Sequence, residues 1–412
     1  MKNKLYFECK SAPNLLEKIS HEPNEIGYYH LVDQELDELN SFKDWFEEKH
    51  DFVENIVVIG IGGSSLGAKA VYSFLKSSNN FKRKLFFLES TDPVSIHDRL
   101  AHIDLKKSHF IVISKSGTTI ETISILKYIY ELLEHDGSYF SFVTEEGSKL
   151  HQFAISIASK SLFLPKEVGG RFSVLSYVGL LPLALIGVNV KELLRGAKSL
   201  KEEFFDGGKI QEKLLTKATY IAKNYNVYNI NTIFAYSETL KHFCEWYVQL
   251  WGESLGKVQQ SGVLNVGLTP IGLIGPVDQH SFLQLIIEGK RDKSVTFITI
   301  KDFENTLTIP DLELSHLENL DLINGIDFNQ LINLQAKATL LSLEELHIPI
   351  DTIELSKIDE YNIGRLIFYY QLLTSLVGIL FDVNTYDQPA VEGGKRILKE
   401  MLNKIKEDKG SK

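Results

Sequence analysis

Two stretches of this chain carry residue types suited to holding an anion. Gly60-Ile61-Gly62-Gly63-Ser64-Ser65-Leu66-Gly67 lies between an apolar run and a helical pattern. Backbone N–H groups at such a strand-to-helix turn, that of Gly63 among them, point at a ligand, and the helix dipole favours negative charge. Spacing excludes two familiar readings. A dinucleotide fingerprint needs glycine where Ser65 stands, and a P-loop counted from Gly62 meets Ala68 where its lysine belongs. A bare tight turn is the plain alternative. The second stretch, Ser114-Lys115-Ser116-Gly117-Thr118-Thr119, sits in the same kind of position and adds hydroxyls and a cation. N-capping accounts for one hydroxyl per helix but not for this density. Ser64, Ser114, Ser116 and Thr119 are therefore candidate donors to a phosphate monoester, which needs donors but no metal when it is held rather than transferred.

Both stretches need a scaffold that brings strand ends together. Ile56–Ile59, Leu85–Leu88, Phe110–Ile113 and Tyr139–Val143 read as short, continuously apolar strands separated by helical patterns. That alternation predicts a parallel sheet covered on both faces, with ligands at the carboxyl ends of its strands. After a charged helical bridge at 191–206 the pattern recurs, with strands at 231–236, 295–300 and 347–353 and a long buried helix at 363–381. The expected fold is α/β: two doubly wound, mainly parallel-sheet domains of flavodoxin-like three-layer architecture, over 45–190 and 207–392. A helical segment over 1–44 precedes them and a charged amphipathic helix over 393–412 follows.

Composition narrows the function classes. The 412 residues hold 44 basic and 54 acidic side chains, a formal net charge of -10, which argues against a nucleic-acid binder and requires any positive site to be built locally. The two cysteines, Cys9 and Cys244, have no metal-ligand spacing and no disulfide framework, so a reducing cytoplasm and burial as small apolar residues are expected. Charged residues near the N-terminus argue against a signal peptide. Phe172–Val190 is uncharged and reaches spanning length, but its Ser, Gly, Pro and Asn residues fit a buried helix, and no membrane segment is expected.

The two loops resemble those of the sugar-isomerase fold of phosphosugar-binding proteins. Further motifs resemble the glucose-6-phosphate isomerase family: Gly169-Gly170-Arg171-Phe172-Ser173, Gly252-Glu253-Ser254-Leu255-Gly256-Lys257, Gln279-His280-Ser281-Phe282, and Gln388 through Glu392 to Lys395. The resemblance implies sugar-isomerase domains and interconversion of glucose 6-phosphate and fructose 6-phosphate through a cis-enediol, with no cofactor or metal. It implies Glu253 as the base moving a proton between C1 and C2, a task worth about 10²–10⁴-fold. Taken alone, Glu253 reads as a helix-surface partner of Lys257 at i, i+4. His280 matches the ring-opening histidine that reaches the neighbouring subunit's site, implying a homodimer; alone it is a capping residue. Lys395 matches a ring-opening lysine, and Arg171 the cation stabilising the enediolate. Gln249 and Gln388 match contacts to the sugar or its phosphate, and Glu121 a family acid. Lys115, Arg171 and Lys395 are then the local positive charges for the phosphosugar. Leu255 departs from the family, where Asn often occurs, as do Ser65 and Ala68, and the chain is short.

Other readings differ in what they require. Mannose 6-phosphate epimerisation would use the same site. A phosphosugar-sensing module needs the loops but not Glu253, His280 and Lys395 together. Amidotransfer needs an N-terminal nucleophilic cysteine, which Cys9 does not provide.

Overall fold

The computed structural model describes residues 1–305 and 307–410. The chain opens on a strand, β1 (Lys2–Leu5), and after a helical stretch enters the first sheet through β2 (Asn55–Ile59), β3 (Lys84–Leu88), β4 (Ser108–Ile113), β5 (Phe140–Thr144) and β6 (Lys160–Phe163). All neighbours in this sheet pair in parallel, in the order β3-β2-β4-β5-β6. Every residue of β2, β4 and β5 is buried. Coverage on both faces is why these strands are continuously apolar rather than alternating.

The second sheet is built from β7 (Ile230–Ala235), β10 (Thr269–Ile274), β11 (Lys293–Asp302) and β12 (Ile350–Lys357), with a small antiparallel ribbon, β8 (Lys257–Val258) and β9 (Asn265–Val266), between β7 and β10 in sequence. Its order is β1-β12-β11-β7-β10. The expected pair of doubly wound α/β domains is present. The chain start differs from expectation: residues 1–44 are not wholly helical, because β1 pairs antiparallel with β12, placing Lys2 opposite Glu354. Strands β6 and β10 escaped the sequence pattern. Both lie at sheet edges, where half-exposed residues and, in β10, Pro270 and Gly272 blur the signal.

Two long helices close the molecule around both sheets. Val190–Phe205 crosses Glu360–Phe381 so tightly that a Cβ on Gly364 would lie 2.1 Å from the Leu193 carbonyl oxygen, and one on Gly196 2.1 Å from that of Tyr361. The second helix starts three residues before expectation because the Asp359 carboxylate caps it, accepting from the Asn362 N–H. Residues 172–190 form a 3₁₀ turn and a buried helix, Tyr177–Ile186. Glu360–Phe381 is the one helix among the described residues with the length and apolarity of a span, and it is buried in the core. Cys244 is buried, but Cys9 is half-exposed, contrary to expectation. The C-terminal helix, Glu392–Gly410, leaves the body with its apolar side chains Ile397, Leu398, Met401, Leu402 and Ile405 exposed. Ser411 and Lys412 of the expected C-terminal helix lie outside the described residues.

One buried histidine ties folding to pH. His109 on β4 bonds Ser141 (2.8 Å) beneath Phe46 and His50. Burial, with His50 and Arg83 nearby, holds its pKa well below 6.5. The unfolded chain therefore takes up this proton as pH falls through 6.5 while the native chain does not, and the native state loses stability by at most about 1.4 kcal/mol per pH unit. Denaturant unfolding at pH 7.5 and pH 5.5 will show a smaller acid loss for His109→Gln than for the wild type. Equal losses would contradict it.

Candidate active site

The site assembles where strands of the first sheet end. Ile59 of β2 stands opposite Val112 of β4, so the turns that follow, at 60–65 and 114–119, emerge side by side. In the first, Gly62 has φ +59°, a left-handed conformation that suits glycine, and a Cβ there would lie 2.9 Å from Gln249 Nε2. A Cβ on Gly63 would lie 2.3 Å from the Gly170 carbonyl carbon. The first loop thus touches the backbone of the Gly169–Ser173 motif. Among the described residues the Ser64 hydroxyl has no protein partner, whereas Ser65 is buried with its hydroxyl toward the Gly62 carbonyl (3.4 Å).

In the second loop, the hydroxyls of Ser114 and Thr119 lie 3.1 Å apart and those of Ser116 and Thr118 2.9 Å apart. Thr119 precedes the helix Ile120–Leu132 but does not cap it with its side chain. Lys115 departs from expectation. Its ammonium donates to the carbonyls of Lys166 (2.6 Å) and Val168 (3.1 Å), so it ties this loop to the segment leading into Gly169. Glu121, in the first turn of that helix, is half-exposed.

Arg171 gathers the remaining parts. It is buried, and Nε donates to Ser254 Oγ (2.7 Å), Nη1 to Gln388 Oε1 (3.1 Å), and Nη2 to the carbonyls of Thr385 (2.6 Å) and Asp387 (2.9 Å). A guanidinium has five N–H donors. The last lies toward Glu253 Oε2, 3.5 Å from Nη1. Burial draws the Arg171 pKa down, while Glu253, Asp387 and Tyr386 oppose the shift.

Glu253 stands on the helix Lys241–Leu255, with Oε1 accepting from Gln249 Nε2 (3.1 Å) one turn earlier. Gln249 Oε1 is buried without a hydrogen-bond partner. Lys257 does not pair with Glu253 as the isolated reading of the sequence would have it. The helix ends at Leu255, and Lys257 turns to the carbonyls of Asn384 and Asp387 and to the Asp387 carboxylate.

Two expected site residues stand apart. His280 follows the short helix Gly275–Asp278 beyond edge strand β10, exposed, and its ring approaches only the Gln279 amide. Asp278 braces that turn, accepting from the Ile274 N–H (2.7 Å) and the Ser281 hydroxyl (2.9 Å). Lys395 lies on the projecting C-terminal helix, its side chain 61% exposed and paired with Glu392 (2.7 Å). Within one chain, Gly63, Gln249, Glu253, Arg171 and Gln388 converge and His280 and Lys395 do not. Sequence reading overlooked Ser254, Thr385 and Asp387. Their neighbours in the motifs were the available signal, but three of the Arg171 contacts use carbonyl or hydroxyl groups that any pattern of side-chain charge ignores. No group of His, Cys, Asp and Glu residues suited to a metal ion occurs among the described residues.

A family model described as phosphoglucose isomerase matches residues 28–412. The chain is 43% identical over 412 residues to a Campylobacter jejuni protein named glucose-6-phosphate isomerase, covering 98% of this chain and 100% of the relative. A glucose-6-phosphate isomerase of Methanocaldococcus jannaschii is 34% identical over 400 residues, 96% of this chain and 93% of that one. Among solved structures, a hypothetical protein from Thermus thermophilus superposes with a TM-score of 0.84 at 31% identity, over 97% of this chain and 100% of that one. A glucose-6-phosphate isomerase from Chlamydia trachomatis shares the fold, with a TM-score of 0.82 at 22% identity over 96% and 84% of the two chains.

The contact between the two glycine loops is asymmetric, which makes it testable. Gly63→Ala drives a methyl group into the backbone of Gly170 and Arg171, whereas a Cβ on Gly170 meets only Gly63 Cα at an ordinary 3.7 Å. Overpacking of the first kind costs about 1–3 kcal/mol. In denaturant unfolding Gly63→Ala should lose that much and Gly170→Ala under about 1 kcal/mol; equal losses would refute the contact.

Proposed function

This chain belongs to the phosphoglucose isomerase family, and we propose how its own residues carry out the interconversion of D-glucose 6-phosphate and D-fructose 6-phosphate. The phosphate is held by the hydroxyls of Ser64, Ser114, Ser116 and Thr119 and by N–H groups of the two loops, Gly63 included. Gln249 and Gln388 orient the sugar. Once the ring is open, the Glu253 carboxylate takes the proton from C2 of the aldose. The C–H electron pair forms the C1–C2 double bond, and the C1 oxygen carries the developing charge until it takes up a proton, which the C2 hydroxyl gives up in exchange. Glu253 then returns its proton to C1 as the electron pair on the C2 oxygen closes to the ketone. Arg171, whose remaining N–H faces Glu253, places its positive charge beside the developing enediolate and stabilises it through space. The reaction needs no redox cofactor, since only protons move.

The observation that carries this reading is the pairing of Glu253 with two donors at the loop ends. Gln249 holds Oε1 at 3.1 Å and Arg171 faces Oε2 at 3.5 Å, so the carboxylate is fixed while one edge stays open. Ring opening falls to Lys395 and to the partner subunit's His280 in a homodimer. What supports sharing is the exposed, braced position of His280 away from Glu253 of its own chain. Cytoplasmic residence fits two free cysteines.

Glu253→Gln preserves size and both neighbours but removes the base. In an assay coupling glucose 6-phosphate formation to NADPH, kcat should fall at least about 10²-fold while fructose 6-phosphate still binds. Wild-type turnover should persist in EDTA. Turnover retained by Glu253→Gln would remove Glu253 from this role.

Subunit mixing tests the shared histidine. Glu253→Gln and His280→Ala, each nearly inactive alone, should recover about a quarter of wild-type activity when unfolded together and refolded, because half the dimers are mixed and each holds one intact site. No recovery would place His280 in the site of its own chain.

A further inference from the structure

We infer that Lys257 is a positioning residue of the isomerase site, holding the strap Asn384–Gln388 in register with Glu253. The inference rests on the catalytic reading above. Lys257 is four residues past Glu253, with only 10% of its side chain exposed. Its ammonium donates to the Asn384 carbonyl (3.0 Å), to the Asp387 carbonyl and to Asp387 Oδ1 (2.5 Å). The Asp387 carbonyl also accepts from Arg171 Nη2 (2.9 Å), and the next residue, Gln388, accepts from Arg171 Nη1. Two cations therefore grip one carbonyl, and the Asp387 carboxylate is the charge that lets them stand so close.

The strap is fixed on its other side as well. Tyr386 packs against Phe172 (ring centroids 5.3 Å apart), and its hydroxyl bonds Ser375 Oγ (2.8 Å) and the Glu22 carboxylate. Internally, Asn384 Nδ2 donates to Asp387 Oδ2 (3.0 Å), and the Tyr386 N–H donates to Asn384 Oδ1 (3.0 Å). Removing the Lys257 ammonium leaves these rear contacts whole but frees the Asp387 carboxylate beside Arg171. That carboxylate then competes with Gln388 and Glu253 for the guanidinium. The charged groups facing one another here are Lys257, Asp387, Arg171 and Glu253, with the Tyr386 phenol behind them. Lys257 thus acts through Arg171 and Gln388 without touching the sugar.

Wild type, Lys257→Met, Lys257→Arg and Asp387→Asn should be compared for kcat and KM, with thermal unfolding alongside. Expected is a fall in kcat of about tenfold or more in Lys257→Met and in Asp387→Asn, with KM changed less than about threefold in both. Lys257→Arg should stay within about threefold of the wild type, because it restores the charge. If Lys257→Met does not fold, the Arg and Asn variants still decide, through retained kcat in one and lowered kcat in the other. Wild-type kcat in Lys257→Met or in Asp387→Asn would overturn the inference alone. A wild type without turnover would overturn the catalytic reading as well.

Discussion

A guanidinium removed from water must have its N–H groups satisfied, and that demand shapes the molecule around Arg171. A buried cation is tolerable only when hydrogen bonds and a counter-charge replace its solvation. The planar fork also fixes where those partners stand. Ser254 meets Nε from the helix that carries Glu253, while Thr385, Asp387 and Gln388 meet the two Nη atoms from the strap after Glu360–Phe381. The preceding glycine, Gly170, presses against Gly63 of the first anion loop. One side chain thus couples the first glycine loop, the helix that carries Glu253 and the strap that carries Gln388. Two of the four filled donors end on backbone carbonyls, which do not titrate.

The same economy explains how a chain of net charge -10 receives an anionic sugar. Its buried or half-buried cations near the site point at carbonyls: Lys115 at Lys166 and Val168, Lys257 at Asn384 and Asp387. They brace the second loop and the strap in place, and the loop hydroxyls beside them stay uncharged and fixed. Groups already fixed cost little reorganisation when a substrate arrives or leaves.

Much of this was legible in the sequence. Apolar strand runs between helical patterns gave both α/β domains, since full burial leaves a continuous signature in β2, β4 and β5. The edge strands β1, β6 and β10 left none, because half of each faces solvent or an unpaired edge. For the site, Glu253, Arg171, Gln249 and Gln388 were found through motifs, and they do converge. The direction of Lys115 and Lys257 was not legible, because a lysine's sequence context records its charge and not the carbonyl to which it turns. His280 and Lys395, expected for their chemistry, are exposed and, among the described residues, contact only Gln279 and Glu392 respectively.

The strand at the chain's beginning has a consequence for how the protein is made. Asn3 bonds the Thr352 carbonyl, a partner 349 residues away. On the ribosome these first residues emerge before any strand that could accept them. The first sheet can close during synthesis from neighbours near in sequence, whereas the edge of the second waits until almost the whole chain is out. Until then β1 has no partner, a condition under which exposed strands pair wrongly with other chains. The short, lysine-bearing segment Lys2-Asn3-Lys4-Leu5 is well suited to that delay, since its charge keeps it soluble while it waits.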